Sequence, residues 1–152
     1  ILKNLKIKKN YKNISNTYKQ FSKKKINQIK TYPFLHNSIN YLKTRNIKIA
    51  IVTSKDRLRS IKILKKINLK VNVLYCPTNR LRGKPSPDLL LATLKKIKIK
   101  KKEAVFVGDT YIDKKAASSA GIDFLFAKYG YKIGISKSKF SIKNLMEVNK
   151  YI

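Results

Sequence analysis

A chain of 152 residues with 43% apolar content can bury one respectable core, and nothing in it marks a second domain of comparable size. Its 37 Lys and Arg against 7 Asp and Glu give a formal charge of +30, but the cations are spread among many Asn, Ile and Tyr, as AT-rich codon usage spreads them, without an Arg-rich helix, zinc finger or RNA-binding aromatic signature. Composition therefore argues against a specific nucleic-acid site, an internal disulfide (Cys76 is the one cysteine), a zinc cluster and a bilayer-crossing segment.

The opening ILKNLKIKKN lacks the long apolar centre of a secretory signal, so a soluble, cytoplasmic protein is expected, with nonspecific polyanion binding at low salt. Residues 11 to 29 place Tyr11, Ile14, Tyr18, Phe21, Ile26 and Ile29 at spacings that suit an amphipathic helix with one break, closed by Pro33. A second helix is predicted over residues 34 to 45, with Leu35, Ile39 and Leu42 inward. The β-branched run Ile47 to Thr53 has the composition of a strand buried on both faces. Asp56 caps a helix carrying Leu58, Ile61, Leu64 and Ile67, and Val71 to Cys76 is the next strand, with Cys76 a small half-buried residue at its end. The turn-rich PTNRLRGKPSPD leads to a helix with Ser86 as cap, Pro87 in the first turn and Asp88 facing the positive helix end, then Leu89, Leu91, Leu94 and Ile97. Glu103 to Val107 is a strand, Ile112 to Ala120 a helix stopped by Gly121, Ile122 to Ala127 a last strand, and Phe140 to Ile152 a final helix. Strand and helix alternate through the chain, which predicts an α/β fold, a doubly wound parallel sheet with helices on both faces.

Ligands of such sheets bind beyond the carboxyl ends of the strands. Thr53 and Ser54 end the first strand, Lys84 lies in the loop after the second, and Gly108 and Asp109 end the third, so all are expected on one rim. Hydroxyls, backbone N–H groups and an ammonium suit a phosphate. Asp109 and Asp113, four apart where a helix opens, suit a hard cation such as magnesium, although the same pair could serve only to cap that helix. His36, the lone histidine, is expected at the surface. Tyr129 and Tyr131 are expected near the rim, and Lys55 and Arg57 beside the phosphate loop, where they would either meet a substrate carboxylate or simply solvate the loop.

With these stretches in place the sequence resembles the haloacid dehalogenase-like (HAD) hydrolases, in particular their phosphoglycolate phosphatase-like branch. IAIVTSK (Ile49 to Lys55) resembles the family's second motif, GKPSPD (Gly83 to Asp88) its third and VFVGDTYID (Val105 to Asp113) its fourth, and AASSAGI and KYGY fit as well. Over roughly residues 32 to 131 the resemblance implies a Rossmann-like fold and a magnesium-dependent phosphatase acting on a small phosphorylated metabolite through an aspartyl-phosphate. It implies that Thr53, Ser54 and Lys84 hold the phosphoryl oxygens, with Thr53 and Lys84 assisting catalysis, and that Asp109 and Asp113 hold Mg2+.

One departure matters as much as the match. The family's first motif, Asp-x-Asp, supplies the nucleophile and the acid/base, and this chain has no Asp or Glu before Asp56. The missing strand normally lies between the strands of Ile47 to Thr53 and Glu103 to Val107, so its loss would leave two exposed edges. The sequence also opens on Ile1. The expectation is an N-terminally truncated chain, inactive by itself, with residues 1 to 31 the end of a helical cap and residues 32 to 152 the core lacking its first strand. The alternatives are a related phosphomutase, β-phosphoglucomutase-like, and a nonenzymatic basic binding module.

Overall fold

The computed structural model describes residues 11–135 and 138–152. Residues 1 to 10, the outer part of the expected cap remnant, lie outside the described residues, as does the side chain of Tyr11. Helix α1 (Tyr11–Lys24) runs into a 3-10 turn, Lys25–Gln28, so the expected break falls between Lys24 and Lys25 and the element stops ahead of Pro33. Ile26 is buried, but Tyr18 and Phe21 remain 61% exposed, leaving much of the apolar face of α1 uncovered. Helix α2 (Leu35–Thr44) buries Ser38, Ile39 and Leu42.

Strand β1 (Ala50–Val52) pairs in parallel with β2 (Val73–Tyr75), joined by helix α3 (Arg57–Lys66). Asp56 caps α3 as predicted, its Oδ1 accepting from the Arg59 amide at 2.9 Å. Helix α4 (Asp88–Ile97) leads to β3 (Val105–Gly108), then α5 (Tyr111–Ala120) and β4 (Asp123–Ala127), with Gly121 in the left-handed region after α5. A short β5 (Ser141–Ile142) adds to β4, and all pairings in the order β3, β4, β5 are parallel.

The α/β class stands, but the sheet comes in two pieces, β1-β2 and β3-β4-β5. Residues alternate between two cores along the strands, as the pleat demands. Ile49, Val105, Val107 and Leu125 join Ile39 and Leu42 of α2 on one face, with Leu64 and Ile67 from the α3 region. Val52, Ala104 and Phe106 join Leu90 and Leu94 of α4 and Ala116 and Ala120 of α5 on the other. The β1 and β3 segments thus contribute to the same two cores without sharing a hydrogen-bond ladder, and among the described residues each strand has an edge without a sheet partner.

That gap explains why β1 is shorter than predicted and only half-buried along Ala50 to Val52, where burial on both faces was expected. Other differences are local. Leu58 points outward at 76% exposure, and the buried positions beneath α3 include Ser60, whose hydroxyl meets the buried Cys76 thiol at 3.6 Å. Residues Lys101–Glu103 form a 3-10 turn, so β3 begins later, at Val105. Ser86 sits one residue ahead of the cap position, which Pro87 occupies: its hydroxyl accepts from the Asp88 amide at 3.4 Å, as a cap would, but also donates to the Asp88 carboxylate at 2.6 Å, and its amide closes a turn on the Gly83 carbonyl. The predicted terminal helix is instead β5 followed by a 3-10 helix, Leu145–Lys150. Here long-range pairing overrides local pattern, because Ile142 is fully buried beside β4 and its carbonyl accepts from the Lys128 amide at 2.9 Å.

Candidate active site

The carboxyl ends of β1, β2 and β3 carry Thr53, the 76 to 87 loop and Asp109. Strand β3 ends in Gly108, and α5 opens on a reciprocal cap: Thr110 Oγ1 accepts from the Asp113 amide at 3.3 Å, and Asp113 Oδ2 accepts from the Thr110 amide at 3.1 Å. The Thr110 hydroxyl also donates to Asp113 Oδ2 at 2.6 Å, and the Asp109 amide donates at 3.3 Å. The other oxygen of Asp113 takes the Lys84 ammonium at 2.5 Å, with both side chains largely buried at 14% and 6% exposure. Lys84 lies 5.4 Å from the Phe106 ring centroid, a cation over an aromatic face.

Burial pushes the Asp113 carboxyl up, but the Lys84 ammonium and the Thr110 hydroxyl outweigh it, and the group lies below the ordinary aspartate range. Asp113 is therefore an anion with both oxygens engaged, one by a cation and one by the cap. Asp109 differs. Its Oδ2 accepts from the Tyr131 amide at 2.7 Å, while Oδ1 has no hydrogen-bond partner among the described residues.

The loop carrying Lys84 is held from its far end. Arg82 grips Asp88 through Nε at 2.9 Å and Nη2 at 3.2 Å, and its own amide adds a third bond at 3.1 Å. This bidentate fork, with the Ser86 hydroxyl, holds Asp88 well below the usual carboxylate range. A group with a depressed folded pKa contributes stability above its unfolded value of about 3.9 and loses it as pH falls toward the folded value. Asp88→Asn is accordingly expected to lower the melting temperature at pH 7, with the deficit narrowing as both proteins are titrated below about pH 4. A constant deficit across that range in thermal melts would assign the loop's stability elsewhere.

Two of the segments expected to bind phosphate abut on this rim. A Cβ at Gly83 would lie 3.8 Å from the Ser54 hydroxyl, so the loop before Lys84 runs against the end of β1. Thr53 Oγ1 accepts from the Lys55 amide at 3.2 Å, a tight turn that places the following N–H groups at the strand end. Lys84 reaches Asp113, and Asp113 reaches the Asp109 amide, which links the three segments. Of the neighbouring residues, Arg57 is turned to the Leu74 carbonyl at 3.3 Å, His36 is exposed, and Tyr129 packs edge-on against Tyr32 at 5.0 Å between centroids. Sequence reasoning missed the Arg82–Asp88 fork, since a loop's folding back on itself leaves no periodic trace. It read Asp109 and Asp113 together as a possible helix cap; the Thr-x-x-Asp spacing at 110 to 113, which it did not use, would have singled out Asp113.

Among the described residues no three His, Cys, Asp or Glu side chains gather as a self-sufficient metal cage, and no helix is long and apolar enough to cross a membrane. A profile of the haloacid dehalogenase-like hydrolases matches residues 1–127. The chain belongs to the haloacid dehalogenase-like hydrolases. Within them it is phosphoglycolate phosphatase-like: a phosphoglycolate phosphatase of Aquifex aeolicus is 33% identical over 104 residues, covering 67% of this chain and 49% of that protein. A phosphorylated carbohydrates phosphatase of Thermotoga maritima is 23% identical over 129 residues, covering 83% of this chain and 60% of that protein. A haloacid dehalogenase-like hydrolase of Streptococcus pneumoniae superimposes with a TM-score of 0.82 over 95% of this chain and 70% of its own, at 19% identity, a likeness of fold. This haloacid dehalogenase-like chain thus spans 60% and 49% of the lengths of the two curated relatives.

Proposed function

We propose that this chain forms most of the catalytic core of a magnesium-dependent phosphatase acting on a small phosphorylated metabolite. The observation that carries the reading is the buried Lys84–Asp113 pair beside Asp109 at one rim of the sheet, with Asp109 Oδ1 uncommitted. Lys84 and the Thr53 hydroxyl, with Ser54 beside them, would bind the phosphoryl oxygens. Asp113 would act chiefly by orienting Lys84, because its oxygens already take four donors.

Magnesium takes oxygen ligands and is commonly held by one or two carboxylates together with substrate phosphate and water, so Asp109 suits it, whereas at Asp113 the Lys84 ammonium already competes for Oδ1. When bound, the ion would offset the charge of the phosphate and the carboxylates around it. The nucleophile would come from the family's first motif, outside the 152 residues, on a strand occupying the gap between β1 and β3. In that scheme its carboxylate attacks phosphorus, the ester oxygen leaves with a proton from the second aspartic acid, and water then cleaves the aspartyl-phosphate. Residues 11 to 31 would be the inner end of the cap, with the exposed face of α1 meeting the rest of it, and the setting would be the cytoplasm, where small phosphorylated metabolites are held.

The test is release of inorganic phosphate from p-nitrophenyl phosphate and phosphoglycolate by the complete gene product, with and without Mg2+, beside the 152-residue chain alone. Mg2+-dependent release by the former and none by the latter is expected. Isomerised sugar phosphate in place of inorganic phosphate would install the phosphomutase reading, and salt-sensitive polynucleotide binding without turnover would install a basic binding module.

A further inference from the structure

The turn that follows β4 bears directly on Asp109. Its base is closed by the Gly130 amide donating to the Ala127 carbonyl at 3.1 Å, and its tip brings the Tyr131 amide to Asp109 Oδ2 at 2.7 Å. Gly130 lies so near that a Cβ added there would fall 2.6 Å from Asp109 Cγ and nearer still to its Cβ and Oδ2. On the opposite side Tyr129 is anchored edge-on against Tyr32, and farther on the Ile133 carbonyl accepts from the Tyr111 amide at 2.9 Å. The segment is thus tied on both flanks while its middle presses on one carboxylate.

We propose that Gly130 and the Tyr131 N–H are positioning residues for Asp109: the turn locks its rotamer, occupies Oδ2 and leaves Oδ1 as the oxygen offered to a divalent cation. This rests on the reading of Asp109 as a magnesium ligand. A half-exposed aspartate on a strand end otherwise samples several staggered rotamers, and a backbone amide against one oxygen selects among them. Glycine is required at position 130 because a methyl group would take the space of the carboxylate; either Asp109 leaves the amide or the turn backs away. The sequence offers KYGY as a motif but no hint of what its glycine touches.

The experiment is a titration of the complete gene product with MgCl2 in a calorimeter, and with Mn2+ followed by electron paramagnetic resonance, for the parent, Gly130→Ala, Tyr131→Pro, Gly134→Ala and Asp109→Asn. Gly134 is in the same loop, at φ 68 with an added Cβ 3.2 Å from that of Tyr111, and serves as the control for loop strain. Gly130→Ala and Tyr131→Pro are expected to weaken both cations tenfold or more. Gly134→Ala should lower the melting temperature yet keep cation affinity within twofold, and Asp109→Asn should abolish specific binding. Should Gly130→Ala fail to fold, Tyr131→Pro decides. If Asp109→Asn abolishes binding while the folded turn variants stay within twofold of the parent, the clamp is overturned and the metal assignment stands. If Asp109→Asn binds Mg2+ like the parent, the metal assignment falls and the clamp's purpose with it.

Discussion

Lys84→Met is expected to unfold this domain more readily and, on the proposed reading, to abolish phosphate release by the complete gene product, for two separable reasons. The ammonium sits 2.5 Å from Asp113 Oδ1, both groups being largely inside the protein. Removing one partner of a buried ion pair strands the other charge, a loss of about 3–5 kcal/mol in well-buried cases. The catalytic loss would come from the proposed contact between this ammonium and the phosphoryl oxygens, a deficit of roughly 10²–10³-fold in kcat by comparison with removal of one preorganised donor. Adding Asp113→Asn to Lys84→Met separates the two. The amide cannot be left as an unpaired charge and can still accept from Thr110, so a substantial part of the stability should return in urea melts while hydrolysis stays lost. Recovery of turnover in the double variant would remove Lys84 from the chemistry.

Leu125→Ala is expected to lower stability by about 2–5 kcal/mol, enough to threaten folding of a domain this size. Leu125 is 1% exposed and packs with Ile39 and Leu42 of α2, Ile142 of β5 and Val148 of the terminal 3-10 helix. It lies in β4 opposite Val107 of β3, and β4 leads into the turn at Asp109. Its loss should loosen the C-terminal segment, and hydrogen exchange should quicken first at Lys128, whose amide bonds the Ile142 carbonyl. Equal quickening in β1 and β2 would show instead that the two half-sheets unfold as one unit.

The gap between those half-sheets is central to the reading. Its physical meaning is that the β1 and β3 segments bury side chains in common cores while, among the described residues, their facing backbone groups lack sheet partners, an arrangement native sheets avoid unless the edges are paired or covered. The family's first motif would meet that need, which is why the same structural feature bears on both folding and chemistry.

Much of this was legible along the chain because it depends on local periodicity and spacing. The β-branched run before Thr53, the cap at Asp56 and the left-handed stop at Gly121 each depend on neighbours a few residues away, and the order of hydroxyl, lysine and paired aspartates pointed to the family. What required tertiary structure was every relation between distant segments. Whether Asp113 faces open solvent or Lys84, whether Gly130 touches Asp109, and whether residues 141 and 142 pair as a strand instead of coiling as a helix are settled by packing and ladder formation across the fold, which outweigh local propensity where side chains are buried. Two carboxylates four residues apart look alike in a string of letters; the burial of one against an ammonium, and on the other an oxygen with no hydrogen-bond partner among the described residues, make them chemically different.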